Sequence, residues 1–185
     1  MKRASNGNKR KKSQTAEKKA AKLSETLREG DSKYLKNRRS VVALSTVASA
    51  SMALIALYQM GIIRHIPEPP LPMMDADKVD ASAEAYEKFQ MPDAILGLGS
   101  YAATMSLAAI GGTDRHRTMP WIPVVLAAKV AFDVANAAKL SVDQWTKHKA
   151  FCFWCLVAAG ATFATAPFVV EEFRAAWRAM EGKQS

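Results

Sequence analysis

A chain of 185 residues, 49% hydrophobic with a net charge of +9, is long enough for one soluble domain or for a small membrane bundle, and its average hydropathy does not separate the two. The distribution of charge does: residues 1–40 hold fourteen Lys or Arg against four Asp or Glu, a surplus of ten, so the remainder is close to neutral. No phosphate-binding loop, dinucleotide fingerprint, catalytic triad or metalloprotease motif occurs, which removes the soluble enzyme classes that depend on them.

The opening forty residues contain no apolar run able to form a buried face, and they read as a solvated basic tail, disordered or partly helical between Gln14 and Glu29. No aromatic residues interleave with the basic ones as nucleic-acid binding would want, so no nucleic-acid partner is expected. A basic segment ahead of an apolar helix instead holds that side in the cytoplasm and draws it to anionic lipid. With no small-residue cleavage site after the apolar stretch, the first helix is expected to be a retained anchor.

Val41 to Ile63 is free of charge, and about twenty such residues cross a hydrocarbon core about 30 Å thick. Pro67, Pro69, Pro70 and Pro72 then stop the helix, and the segment to Asp93 carries seven acidic residues, an acidic loop outside the membrane. Within it Asp80 to Phe89 reads as a short amphipathic helix. A second membrane helix is predicted over 94–111, with Gly97, Gly99, Ser100, Ala103 and Ala108 as a small-residue face. Arg115, His116 and Arg117 place the following turn on the cytoplasmic side.

A third helix, 120–140, carries Lys129, Asp133 and Asn136 in apolar surroundings; Lys129 and Asp133 stand one turn apart and are expected to pair inside the bundle. A fourth, 150–170, is followed by a cytoplasmic surface helix over 171–185. The whole is an all-α integral membrane four-helix bundle with a disordered basic tail, both termini cytoplasmic, and a bacterial inner membrane as its expected location.

The two cysteines, Cys152 and Cys155, form a CxxC at the outer end of the fourth helix. A closed zinc site wants four ligands, and even with His148 as a third the set is short, so no metal is expected. Dithiol–disulfide exchange is the more natural chemistry, because the spacing brings the sulfurs within bonding reach and a helix N-terminus favours a thiolate. Two incidental buried cysteines remain the alternative.

Cys152-Phe-Trp-Cys155-Leu, the stretch from Met91 to Tyr101, and Tyr58 with Gly61 at the end of the first helix together resemble the vitamin K epoxide reductase family over about residues 41–170. The resemblance implies a bundle enclosing a quinone, menaquinone or ubiquinone, whose reduction is coupled to oxidation of the dithiol. Cys155 would face the quinone and Cys152 would exchange with an incoming thiol or disulfide. Asp93 stands where the family often places a hydrogen-bonding residue, and Asn136 is taken as a second quinone contact. The sequence departs from the family in having no cysteine in residues 64–93, where an electron-relaying pair is usual, and in having Ala159 where animal members carry a tyrosine. The expected function is a membrane thiol–disulfide oxidoreductase linked to a quinone, with lipid and a thioredoxin-fold protein as partners. The alternative is a non-catalytic accessory or scaffold subunit of a larger membrane complex.

Overall fold

The computed structural model describes residues 2–182, with the side chains of 2–11 and of Lys88 left aside. It is built from helices and the loops between them; among the described residues strand pairing amounts to one isolated parallel bridge between Met74 and Phe151. The basic tail is α1, Lys2–Glu29, a longer helix than the Gln14–Glu29 segment expected, and from Lys12 to Ser24 its side chains are exposed. Its Ala, Lys and Glu content favours helix without supplying an apolar stripe. Arg39 ties down its C-terminus, donating to Leu27 O and Gly30 O at 2.8 and 2.9 Å.

Helices cover all four of the predicted stretches, with shifted ends. α2 runs Lys33–Gln59 and begins well before Val41, because the Ser32 hydroxyl caps it by accepting from the Leu35 N–H. The loop that follows differs most from expectation. In place of one amphipathic helix it holds a single short helix, α3 (Ala76–Asp80), and two 3₁₀ turns, Ala83–Tyr86 and Lys88–Gln90. Phe89, at φ 55° and 87% exposed, does not rest on the bundle. α4 is Asp93–Ala109, α5 is the turn Arg115–Thr118, and α6 is Trp121–Asp143. α7 runs unbroken from Phe153 to Glu181 through Pro167, absorbing the separate surface helix expected after residue 170; residues 183–185 lie outside the described residues.

α2 is the hub, packed along α7 and α4, while α6 packs on α7. The middle of the bundle closes on small side chains, Ala48, Ala158 and Ala161. Gly97 of α4 lies so close to Met52 that a Cβ there would meet its sulfur at 3.0 Å, which explains one position of the predicted small-residue face. Larger clusters fill the two ends: Ile55, Val79, Ala94 and Cys152 at one, Val41, Leu126, Val130 and Val169 at the other. Outward-facing Val47, Leu57, Val125, Phe132 and Phe163 remain exposed, an apolar girdle that water would not tolerate and lipid does. By length and composition three helices are able to cross a membrane: α2, α6 with the turn that continues it, and α7. α4, at 17 residues, reaches about 25 Å.

Lys129 and Asp133 pair as expected, with the ammonium within 2.6 Å of both carboxylate oxygens and donating to Ser100 Oγ at 2.7 Å. Ser100 and Thr104 also donate to the carboxylate, so the pair is saturated and clamps α4 to α6.

Candidate functional site

The dithiol is placed by a reversal of the chain after α6. Gln144–His148 form one wide π turn and Lys149 adopts a left-handed φ of 52°, which brings Phe151 back beside the outer loop. There the Phe151 N–H donates to Met73 O at 2.8 Å and the Asp75 N–H donates to Phe151 O at 2.9 Å. Cys152 is thereby fixed as the N-cap of α7. Its N–H donates to Gln144 Oε1 at 3.0 Å, and its Sγ accepts from the Cys155 N–H at 3.2 Å. Both cysteines are free thiols.

α3 delivers the third member of the site. Asp75 caps this helix through the Lys78 N–H, and Glu68 accepts from the Ala76 N–H at 2.7 Å. The Asp80 side chain consequently points inward, 3% exposed. The Cys155 thiol donates to Asp80 Oδ1 at 3.5 Å, while Asp80 Oδ2 is buried with no hydrogen-bond partner. Burial lifts the Asp80 carboxyl from 3.8 to about 6, helped by the nearby Asp93 and Glu68 carboxylates and opposed by hydrogen bonds from the two thiols. It is a carboxylate at neutral pH, held in a place that resists the charge.

Gln59, at the end of α2, links the pieces. Its amide nitrogen donates to Asp93 Oδ1 at 2.7 Å and to Asp80 O at 3.2 Å, and its oxygen accepts from the Ala94 N–H. Tyr86 closes over it, donating to Gln59 O at 3.1 Å. Of the other residues that carried the resemblance, Tyr58 donates to Asp77 O at 3.2 Å and Gly61 takes the positive φ of 72° that ends α2.

Between these elements lies a cavity of about 420 Å³, within the range typical of small-molecule sites. Met52, Ile55, Leu96, Phe132 and Leu140 give it apolar walls; Cys155, Asp80, Asp93, Asn136 and Tyr101 bring polar atoms to them. Three of the four predicted site residues, Cys155, Asp93 and Asn136, therefore meet in one cavity. Cys152 does not reach it: the residue is 0% exposed, packed in the cluster of Ile55, Ile66, Ala76 and Val79. Asp93 is the first residue of α4 with Pro92 at the cap position, and Asn136 donates to Phe132 O at 2.9 Å. Ala159 forms part of the wall, and the nearby Tyr101 hydroxyl is paired with Thr162 Oγ1 at 2.9 Å.

Asp80, Cys152 and Cys155 bring three donor atoms within 4.8 Å of one another. A structural zinc takes four, and the neighbouring oxygens are spent on backbone donors, Gln144 on Cys152 and Glu68 on Ala76. His148 faces Glu84. Sequence reasoning had no means of finding Asp80 or Gln59: Asp80 is one of seven acidic residues in its segment, and its distinction is purely one of place in the fold.

An apolar helical bundle whose last helix begins with a free dithiol, one sulfur of it in the wall of a cavity, is a membrane protein built around a thiol pair. The chain belongs to the vitamin K epoxide reductase family, whose family model matches residues 39–170, leaving α1 outside the match. At the level of the family it is a membrane oxidoreductase of a kind that acts with quinones. Comparison with the curated proteins and with the solved structures gives no match.

Proposed function

We propose that the protein is a membrane thiol–disulfide oxidoreductase in which Cys152 and Cys155 are oxidised against a quinone, menaquinone or ubiquinone, held in the cavity. The observation that carries this reading is that Cys155 shares one cavity with apolar walls and with Asp80, whose second carboxylate oxygen is buried and lacks a donor. Such an oxygen calls for a proton or a donor group from a ligand. A quinone in this place supplies a two-electron, two-proton acceptor. The chain's own contributions are a slot with apolar walls, Asn136 and Asp93 as polar contacts for a ring oxygen, and Cys155 as the sulfur facing it. Cys152 then serves as the exchanging sulfur, reached by a thioredoxin-fold protein or small thiol once the outer-loop residues packed on it, Ile66, Ala76 and Val79, move aside. α4 is taken as a fourth, short span, both termini as cytoplasmic, and a bacterial inner membrane as the location. Cys155→Ser and Cys152→Ser, each assayed in detergent or liposomes, should abolish thiol-dependent quinone reduction; activity retained in both removes the proposal.

A second reading, a non-catalytic subunit of a larger membrane complex, is favoured by the sealing of Cys152 and by the absence of cysteine from residues 64–93. In membranes, maleimide trapping of the thiols before and after a reductant and then a quinone separates the two. Reversible cycling supports the enzyme, and thiols that never change state support the scaffold.

A further inference from the structure

We infer that Asp80 is the catalytic proton acceptor for the dithiol, the carboxylate that takes the Cys155 Sγ proton as the disulfide closes; the inference rests on the proposed reading of the dithiol as the reacting group.

The geometry supplies a donor, an acceptor and an exit. The Cys155 thiol already donates to Asp80 Oδ1 at 3.5 Å, and the Cys152 sulfur lies within 4.8 Å of the same carboxylate. Oδ2 has no partner, and Asp80 lines the cavity. Other bases nearby are engaged: Asp93 Oδ1 accepts from Gln59, Asp133 is held by Lys129, and His148 faces Glu84. Leaving a carboxylate oxygen buried and undonated is costly, and the cost is understandable where a proton must pass.

Closing the Cys152–Cys155 bond breaks two S–H bonds, forms one S–S bond and releases two electrons and two protons. The electrons go to a two-electron oxidant, a quinone in the reading above. The first proton crosses from Cys155 Sγ to Asp80 Oδ1 and is passed on from that carboxyl to the reduced oxidant; the second, from Cys152, follows through the same carboxylate. The ionisable groups facing Asp80 are the two thiols of α7, Asp93 of α4, Glu68 and Tyr86 of the loop and Tyr58 of α2, with neutral Gln59 also from α2. A carboxyl lifted to about 6 is ionised at neutral pH and is a stronger base than an exposed aspartate.

The test uses the full chain, reduced and purified in detergent, with diamide as a soluble oxidant that needs no quinone. Disulfide closure is followed by trapping residual thiols from about pH 4.5 to about 8.5. The wild-type rate should climb through an inflection near the Asp80 value of about 6. Asp80→Asn should lose that inflection and close about 100-fold more slowly at neutral pH, the scale of a general base. An unchanged profile overturns the inference, as does a uniform slowing that keeps the inflection, which is what a merely structural role would give. Asp80→Glu keeps a carboxylate and carries the test alone if the amide variant does not fold: its inflection should move, and one that stays fixed overturns the assignment. A wild type that shows the inflection with diamide yet never cycles with quinone overturns the quinone reading and leaves the role of Asp80 standing.

Discussion

The two ends of the bundle both bury charge, and they treat it in opposite ways. At the end formed by α5 and the second half of α7, Arg115 is 0% exposed and donates two parallel hydrogen bonds of 2.7 Å to Glu172, with further bonds to Leu107 O and Ile110 O. Arg38 covers the C-terminus of α4, donating to the carbonyls of Ala108, Ala109, Ile110, Gly111 and Gly112. Both guanidinium groups and the Glu172 carboxylate are answered there, and the result is a lock joining α2, α4 and α7. At the dithiol end a carboxylate is equally buried, yet one of its oxygens lacks a donor, and the residue borders a cavity. Saturated burial holds a fold together; unsaturated burial is tolerated where a ligand or a proton completes it.

This contrast predicts stability effects of opposite sign. Glu172→Gln removes the counter-charge of a fully buried guanidinium and should cost about 4 kcal/mol, seen as a large fall in the thermal midpoint in detergent. Replacing both Arg115 and Glu172 by apolar residues of similar size should cost far less than the single change. If Glu172→Gln melts like the wild type, the lock is not what joins these helices.

Asp80→Asn should do the reverse at neutral pH. Because folding raises its carboxyl from 3.8 to about 6, the folded state binds the proton more tightly than the unfolded one. The associated stability is fully present below about pH 4 and lost as pH rises through about 6, amounting to about 3 kcal/mol by neutral pH. The amide variant should therefore melt higher than wild type at pH above about 6 and show no advantage below about 4. Equal melting at both ends of that range would mean that the burial of Asp80 is relieved in solution.

Much of this architecture was legible in the sequence, for reasons that also explain what was not. Uncharged stretches of membrane length identify α2 and α7 whatever they pack against, apolar surroundings around a pairable Lys129 and Asp133 identify α6, and the CxxC marks its own chemistry. The ends of those helices were misplaced where charge was assumed to end them. Arg38 lies inside α2 because its guanidinium has carbonyls to serve on α4, and Glu172 lies inside α7 because Arg115 awaits it. Pro167 does not end α7, since bundle packing and an isolated missing N–H are compatible. In the outer loop no periodicity separates Asp80 from Asp75 or Asp77, which instead cap α3 and accept from the Ile66 N–H. Only the return of Phe151 to Met73 and Asp75 decides which carboxylate meets the thiols.

The smallest effect sharpens the comparison within the cavity itself. Asn136 lines it from α6 and spends its amide on Phe132 O within its own helix, so its carbonyl oxygen has no role in holding the bundle. Asn136→Ala should leave the melting point within about 0.5 kcal/mol of wild type, as surface-like changes do. If the residue contacts a quinone, the KM for quinone should rise about 5-fold with kcat nearly unchanged, the loss of one neutral hydrogen bond worth about 1 kcal/mol. A fall in kcat with KM untouched would instead move Asn136 from binding to proton handling, and no change in either would leave Asp80 and Asp93 as the polar wall that a ring oxygen meets.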